Sequence, residues 1–263
     1  MTEPQRVKSL TALEKWWFPT SDYRGKRPSV WLFGGAGVEQ AWTANPLIPL
    51  IGEYDFAVFR MPGRSVRKDE PHPTSLRELG REVAQSLVEI GAVRPVLSGL
   101  SFGGLLAFVA VQELEKLGFE VGRFVPIVAA CPNEWRAGGA YAMLHGGVDK
   151  FIERRLEEAT PGGKLPPEMA EMTLENLRGP YLADMSCGFR EWKHSMIKTS
   201  ITDVSAADDQ RLKIPSLTRW KRYTRGEFDS ITATGGHFFY RERPEVVSRV
   251  FERESEIAYS GGF

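Results

Sequence analysis

The chain has 263 residues, of which 42% are hydrophobic and 26% charged, and this length suffices for one large domain with a substantial core. Basic and acidic residues number 34 each, so the formal net charge is zero. This balance gives no electrostatic reason to expect nucleic acid or a membrane surface as a partner. Two cysteines do not make a disulfide framework or a zinc cluster, and no metal is expected.

The N-terminal segment has no signal-peptide character. Residues 1–20 lack an apolar core of the required length and a small-residue cleavage site. No apolar run in the chain approaches the roughly 18 residues that span a bilayer. We therefore expect a soluble cytoplasmic protein.

Apolar runs and amphipathic stretches alternate in the first half of the chain. Residues 29–37 form an apolar run that ends in glycines and predicts a strand followed by a loop. Residues 54–64 predict a second strand, which the Pro62-Gly63 turn ends. Residues 75–91 place apolar side chains at helical spacing, and Gly91 can end that helix.

The same alternation continues to residue 131. Residues 95–99 predict a strand, residues 102–118 a helix and residues 123–131 another strand. Strands that alternate with helices and are apolar throughout are typical of a parallel sheet covered on both faces. The sequence therefore predicts an α/β fold with a mostly parallel sheet.

Residues 132–195 interrupt the alternation. This polar segment has helical character and is too weakly apolar to form a core of its own. We interpret them as a helical insertion, so that residues 1–131 and 196–263 form the core of the domain. The alternation then resumes. Residues 198–206 and 228–234 predict strands, and helices are predicted around residues 215–224 and at residues 243–258.

The segment Gly99-Leu100-Ser101-Phe102-Gly103 fits the pattern G-x-S-x-G between a predicted strand and a predicted helix, which is the setting of a nucleophile elbow. Because the turn is sharp, the residues two positions before and after the serine must lack a bulky Cβ. The helix N-terminus directs N–H groups at the reacting centre, and the N–H of Phe102 is a predicted oxyanion donor. The alternative is an ordinary glycine-rich turn with an incidental serine.

A serine nucleophile needs a base, and the expected chain order is serine, then acid, then histidine. Of the four histidines, His72 precedes the elbow, and His145 and His194 fall in the predicted insertion. His237 follows the last predicted strand, next to two glycines that let the loop turn and two phenylalanines that can anchor it. His237 is therefore the predicted base, and an ordinary loop histidine is the alternative.

The acid is expected after the strand before that one. Asp203 lies within the predicted strand and is a poor candidate for a loop role. Asp208 and Asp209 lie just past the strand, at the sheet edge where ligand loops gather. We choose Asp209 and leave Asp208 as the alternative.

A glycine-rich loop follows the first predicted strand. Residues 32–42 contain three glycines, which let the backbone N–H of Ala36 approach a substrate oxygen closely. Ala36 is therefore the second predicted oxyanion donor. Such loops are common after strands, so this prediction depends on the elbow.

Taken together, these segments resemble the type II thioesterases of polyketide and nonribosomal peptide assembly lines, a branch of the α/β-hydrolases. The resemblance is carried by FGGAG (33–37), FRMPGRSVRKDEP (59–71), SGLSFGGLLAF (98–108), GGKLPPEMAEM (162–172), WKRYTRGEF (220–228) and GGHFFY (235–240).

The resemblance implies an α/β-hydrolase fold with a helical lid at residues 132–195. It implies Ser101 as nucleophile, His237 as base and Asp209 as orienting acid. It also implies hydrolysis of acyl or aminoacyl thioesters on the phosphopantetheine arm of a carrier protein, as editing of stalled or misprimed assembly lines, with no cofactor. We expect a monomer. The substrate-binding candidates are Leu100, Met143, Leu144, Met169 and Met172, and core packing is the alternative role for these side chains.

The chain departs from the family pattern at three places. Leu100 stands where the family usually has histidine, and Phe102 where it has methionine. Gly34-Gly35 replaces a proline-aromatic pair, and the acid segment lacks the usual glycine and proline. These departures bear on the shape of the acyl pocket rather than on the reaction.

Three other functions remain open from the sequence. A small-molecule carboxylesterase would use the same three residues. A chain-releasing cyclase would differ only in the nucleophile that attacks the acyl-enzyme. A non-enzymatic carrier-protein binder on a hydrolase scaffold would need an elbow and histidine loop without catalytic use.

Overall fold

The computed structural model describes residues 11–20, 23, 25, 27–38, 40–134, 150, 153, 157, 167–187, 196–209 and 219–260. In this part of the chain, seven strands form one sheet in the order β1-β3-β2-β4-β5-β6-β7. The strands are β1 (Trp17–Pro19), β2 (Ser29–Phe33), β3 (Asp55–Phe59), β4 (Val96–Leu100), β5 (Arg123–Ile127), β6 (Ile201–Ala206) and β7 (Phe228–Ala233). Among these described strands only β1 pairs antiparallel, with β3, so the predicted mostly parallel sheet is confirmed.

Seven α-helices accompany the sheet within the described ranges. They are α1 (Ala12–Trp16), α2 (Gln40–Ala44), α3 (Leu76–Ile90), α4 (Phe102–Lys116), α5 (Pro167–Cys187), α6 (Phe239–Glu242) and α7 (Pro244–Ser260). The predicted boundaries of α3 hold because local signals determine them. Ser75 accepts a hydrogen bond from the N–H of Glu78 at the N-cap, and Gly91 ends the helix in the left-handed conformation.

The core consists of one layer on each face of the sheet. Successive side chains of a strand point to opposite faces, and in β2 Trp31 packs in one cluster while Leu32 packs in the other. The first cluster includes side chains of α3 and α4, and the second includes side chains of α7. Helices therefore cover both faces, as the apolar strands predicted.

Two parts of the fold differ from the sequence prediction. The sequence does not predict the short α1, α2, α6 and β1, and β1 extends the sheet beside β3. The α-helix predicted around residues 215–224 is a 3₁₀ turn at Trp220–Tyr223 in its described part, while residues 210–218 lie outside the described residues. Trp220 is fully buried there, and its indole N–H donates to the carbonyl of Ala129, so tertiary packing determines this turn.

Helix α5 lies in the predicted insertion. Asp184 and Cys187 near its C-terminal end are buried, and Cys187 belongs to the first core cluster. This end of the helix therefore packs on the core of the domain. Within the described ranges, no helix combines the length and the apolar character needed to cross a membrane.

Candidate active site

The candidate site lies where the order of the strands reverses. From β2 the chain passes to β3 on one side, and it then returns to β4 on the other side. At the carboxyl ends of β2 and β4, the loops that follow these strands therefore run in opposite directions and leave a crevice between them. Such a crevice is the usual ligand position in open α/β sheets. The candidate donor loop follows β2 and Ser101 follows β4.

Ser101 occupies a strained elbow between β4 and α4. Its backbone has φ 53° and ψ −115°, a conformation that non-glycine residues rarely adopt. A Cβ at Gly99 would lie 2.1 Å from the carbonyl carbon of Gly103, and a Cβ at Gly103 would lie 2.3 Å from the carbonyl oxygen of Phe33. Side chains at either glycine would therefore collide with backbone, which explains the G-x-S-x-G pattern.

The glycine loop, residues 34–37, lies beside the elbow. A Cβ at Gly35 would be 3.9 Å from the Cβ of Ser101, so this loop is a direct neighbour of the predicted nucleophile. Ala36 is partly buried against the first core cluster, and Phe102 is fully buried at the start of α4. The structure thus brings both predicted oxyanion-donor residues to the crevice that holds Ser101.

His237 and Asp209 meet at the same edge of the sheet. Nδ1 of His237 lies 2.7 Å from Oδ2 of Asp209, and the two side chains are only 8% and 1% exposed. Asp209 follows β6 and His237 follows β7, and both strands are parallel to β4. A buried carboxylate at this distance can hold one imidazole tautomer and stabilise the imidazolium.

Asp208 has a different position from its neighbour. It is exposed, its Oδ2 accepts the N–H of Gly235 at 3.2 Å, and its own N–H donates to the carbonyl of Gly235 at 3.0 Å. Asp208 therefore ties the histidine loop to the end of β6, while Asp209 contacts the imidazole. Of the two aspartates left open by the sequence, only Asp209 is hydrogen-bonded to His237 in the described structure.

The two phenylalanines after His237 anchor the loop, as the sequence predicted. Phe239 is 1% exposed in the second core cluster. Phe238 packs edge-on against the imidazole and against Trp42, with ring centroids 5.4 and 5.8 Å apart. These contacts restrict the orientations open to the imidazole.

A buried polar cluster that the sequence analysis did not identify lies after β5 and β6. Glu134 accepts from Arg219 and from the backbone N–H of Cys131, and Arg219 lies 3.7 Å from Asp203. Burial raises the pKa of Asp203 to about 7, against the lowering effect of Arg219. Asp203 lies within β6, as predicted, and has no contact with His237 in the described structure.

Of the predicted substrate-binding residues, only Leu100 has a described side chain. Leu100 is 2% exposed and packs in the second core cluster. Met143 and Leu144 lie outside the described residues, as do His145 and His194. Met169 and Met172 belong to α5, and their side chains are outside the described part as well.

The remaining histidine and the acidic residues do not indicate a metal centre. His72 packs against the Pro62-Gly63 turn, where a Cβ at Gly63 would lie 2.4 Å from its Nδ1. In the part of the chain that the structure describes, no group of three or more His, Cys, Asp or Glu side chains could hold a metal ion.

Two charged residues missed by the sequence analysis also reach the site. Asp184 of α5 accepts the backbone N–H of Gly37 in the glycine loop, and it pairs with Arg64 of the Pro-Gly-Arg segment. The segment was singled out by resemblance alone. No local pattern marks Asp184, because its partners are remote in the chain.

Comparison with known proteins identifies the family. A family model described as "Thioesterase domain" matches residues 49–254. The chain is 26% identical over 189 residues to the probable cadicidin biosynthesis thioesterase of Streptomyces griseus, covering 71% of this chain but only 51% of that protein. It is 25% identical over 227 residues to the gramicidin S biosynthesis protein GrsT of Aneurinibacillus migulanus, covering 82% and 83% of the two chains.

Among solved structures, the chain is similar to the type II thioesterase BorB from the borrelidin biosynthetic cluster. The TM-score is 0.75 at 19% identity, over 91% of this chain and 97% of that chain. The family model confirms the predicted thioesterase family, and the structural similarity confirms the predicted α/β-hydrolase fold. They leave the roles of individual residues as predictions.

Proposed function

We propose that this chain, which belongs to the thioesterase domain family, is a serine thioesterase that hydrolyses acyl or aminoacyl thioesters from phosphopantetheine carrier proteins. One observation carries the proposal. The 2.7 Å contact between His237 and Asp209 lies at the edge of the sheet where β4 presents Ser101 on its strained elbow. The biological role would be the editing of stalled or misprimed assembly lines.

In the proposed reaction, His237 takes up and returns one proton in each of two steps, acylation and deacylation of Ser101. The imidazole takes the proton of Ser101 as Oγ attacks the thioester carbonyl, and Asp209 stabilises the resulting imidazolium. The imidazolium then protonates the departing pantetheine sulfur, which leaves an ester on Ser101. A water molecule, deprotonated by the same imidazole, hydrolyses that ester and restores the free serine.

The oxyanion that forms in both steps needs donors that are already in position. We assign this role to the backbone N–H groups of Ala36 and Phe102. One such donor is worth about 3 to 4 kcal/mol in other acyl-transfer enzymes. The strain in Ser101 and the packing of the elbow on the glycine loop support this assignment.

The partner and the pocket belong to the same proposal. Relatives named after gramicidin S and cadicidin biosynthesis support an acyl or peptidyl carrier protein as partner. Residues 132–195 would form a helical lid over the acyl chain, with Met143, Leu144, Met169 and Met172 as lining, whereas Leu100 packs in the core. A cytoplasmic location and a monomeric state remain predictions of the sequence.

The decisive experiment uses intact-mass spectrometry of acyl-loaded carrier proteins incubated with the enzyme. We expect loss of the acyl group with release of the free acid, and a higher kcat/KM than for the same acyl group on free pantetheine. A product lighter by one water would identify a chain-releasing cyclase. Equal efficiency on both substrates, or a preference for p-nitrophenyl esters, would favour a small-ester hydrolase.

The nucleophile is tested with a matched pair of serine variants. Ser101→Ala should lower kcat by on the order of 10³ or more and abolish labelling by a fluorophosphonate probe. Ser75→Ala removes the N-cap serine of α3 instead, so it costs stability but not activity. Full turnover by folded Ser101→Ala would refute the assignment, and absence of labelling in the wild type would favour a non-enzymatic binder.

A further inference from the structure

Arg64 and Asp184 form a buried ion pair next to the glycine loop. Nη2 of Arg64 lies 2.6 Å from Oδ2 of Asp184, and the side chains are 3% and 2% exposed. Burial raises the pKa of Asp184, while the guanidinium of Arg64 and the N–H of Gly37 oppose the rise. An ion pair so well shielded from water is a weak argument for stability, because desolvation offsets most of its attraction. Its position must be explained in another way.

The same carboxylate oxygen holds the backbone of the glycine loop. Oδ2 of Asp184 accepts the N–H of Gly37 at 2.8 Å. Gly37 follows Ala36, the predicted donor, and Gly35 adjoins Ser101. The orientation of the peptide units in this loop therefore depends on a residue of α5.

Arg64 is itself held rigidly by its own segment. The carbonyl of Arg67 accepts the N–H of Gly63 at 2.9 Å, and the N–H of Arg67 donates to the carbonyl of Arg64 at 2.8 Å. The Arg67 guanidinium donates to both oxygens of Glu70 at 2.8 and 2.6 Å and stacks 4.0 Å from the Trp16 ring centroid. The backbone at Arg64 is thus held by contacts that do not involve α5, while its guanidinium reaches α5.

Helix α5 packs against Arg64 and against the glycine loop. Nη2 of Arg64 also donates to the carbonyl of Pro180 at 2.8 Å. A Cβ at Gly37 would lie 3.2 Å from the Cβ of Tyr181, and Gly37 has φ +76°, so only glycine suits this position. One turn of α5 therefore contacts both the arginine and the loop.

From these contacts we infer that Asp184 is a positioning residue, which orients the glycine loop for oxyanion binding only while α5 is seated on Arg64. The inference rests on the proposed function, because it assigns a control element to the same site. Undocking of α5 would remove the acceptor of the Gly37 N–H and leave the loop without its anchor. In this inference, Arg64 of the Pro-Gly-Arg segment provides the positive charge that pairs with Asp184 and holds α5 in place.

The test separates positioning from stability with two double variants. A single substitution at either residue would leave an uncompensated buried charge and could unfold the protein. Arg64→Met with Asp184→Leu replaces the pair by apolar groups of similar size, which is tolerated in other proteins, but it removes the acceptor of the Gly37 N–H. Arg64→Met with Asp184→Asn also removes both charges, and it keeps an amide oxygen as acceptor.

We expect the leucine double variant to lose about 100-fold in kcat with KM changed less than about threefold, since the loss of one oxyanion donor costs that much. A trifluoromethyl ketone analogue, which binds as an oxyanion adduct, should lose affinity by a similar factor. The asparagine double variant should retain kcat within about tenfold. If the folded leucine variant keeps wild-type kcat, or if both double variants lose equally, Asp184 is not a positioning residue.

The control is a second buried pair at the opposite end of the sheet. Arg123 begins β5, and its Nε lies 3.0 Å from Oε2 of Glu254, which is fully buried. Arg123→Met with Glu254→Leu should leave kcat unchanged. An equal loss of kcat in this control would mean that removing any buried pair impairs the enzyme, and would overturn the inference.

Amide hydrogen exchange distinguishes failure of this inference from failure of the proposed function. Peptides that contain Gly37 should exchange faster in the leucine double variant than in the wild type, whatever the substrate. If the wild type hydrolyses p-nitrophenyl esters but not thioesters, the proposed function fails, and the same kcat comparison then runs on the ester. Unchanged exchange at Gly37 would overturn the positioning role of Asp184 and leave the proposed function untouched.

Discussion

Replacing Asp209 by asparagine should nearly abolish turnover while leaving the fold intact. The carboxylate lies 2.7 Å from Nδ1 of His237, and both side chains are shielded from water. An asparagine there can donate its amide N–H to Nδ1 and select the wrong imidazole tautomer, and it no longer stabilises the imidazolium. In a serine protease the equivalent change costs about 10⁴ in kcat, so we expect a loss of about 10³ to 10⁴ here.

The assay is kcat for an acyl-pantetheine thioester at saturating substrate, with thermal unfolding measured on the same samples. Asp208→Asn is the matched control, because it neutralises the adjacent carboxylate. Asp208 accepts only the Gly235 N–H at 3.2 Å among its described contacts and is exposed, so its loss should stay below about tenfold. A larger loss in Asp208→Asn than in Asp209→Asn would refute the reasoning.

Three further predictions concern the rest of the chain. The pKa of Asp203 rises from 3.8 to about 7, so the stability that the protonated carboxyl contributes is present below about pH 4 and is lost as the pH rises through 7. Between pH 4 and pH 7, urea unfolding should show the stability of the wild type falling by roughly 3 kcal/mol relative to Asp203→Asn, and a constant difference would contradict this. Burial raises the pKa of the Cys131 thiol to about 11, so on the order of one thiol in a thousand is ionised at pH 8. Iodoacetamide should therefore modify Cys131 only in urea, which peptide mass spectrometry measures. In the predicted insertion, amide hydrogens should exchange fast except at Pro180–Cys187, because buried Asp184 and Cys187 anchor that part of α5. Exchange is measured by mass spectrometry, and fast exchange at Pro180–Cys187 would show that α5 is not docked in solution.

Features with local causes could be predicted from the sequence. The boundaries of α3 follow from its cap residues, and the elbow follows from the steric need for glycine on both sides of Ser101. The prediction of His237 as the base followed from elimination among four histidines. For α3 and the elbow the signal lies within a few positions along the chain, and for His237 the chain offers few alternatives, so pattern and elimination suffice for these predictions.

Features with remote causes could not be predicted in this way. Asp208 and Asp209 are adjacent and chemically identical, and only the turn after β6 determines which of them contacts His237. The short strand β1 exists because it pairs with β3, whose sequence position is distant. Asp184 and Gly37 are 147 positions apart, and a lone aspartate in a polar helix carries no signal of such a contact.

The departure at Gly34-Gly35 connects the sequence to the inferred role of Asp184. Where type II thioesterases resembled by this chain have a proline and an aromatic residue, local stiffness and a side chain can hold the donor loop. Two glycines provide neither, and they cost more conformational entropy to order. The structure supplies an anchor from outside the loop, because Asp184 accepts the N–H of Gly37. A loop without anchoring side chains of its own therefore depends on α5 for its conformation, so the inferred role of Asp184 makes the docking of α5 a condition for activity.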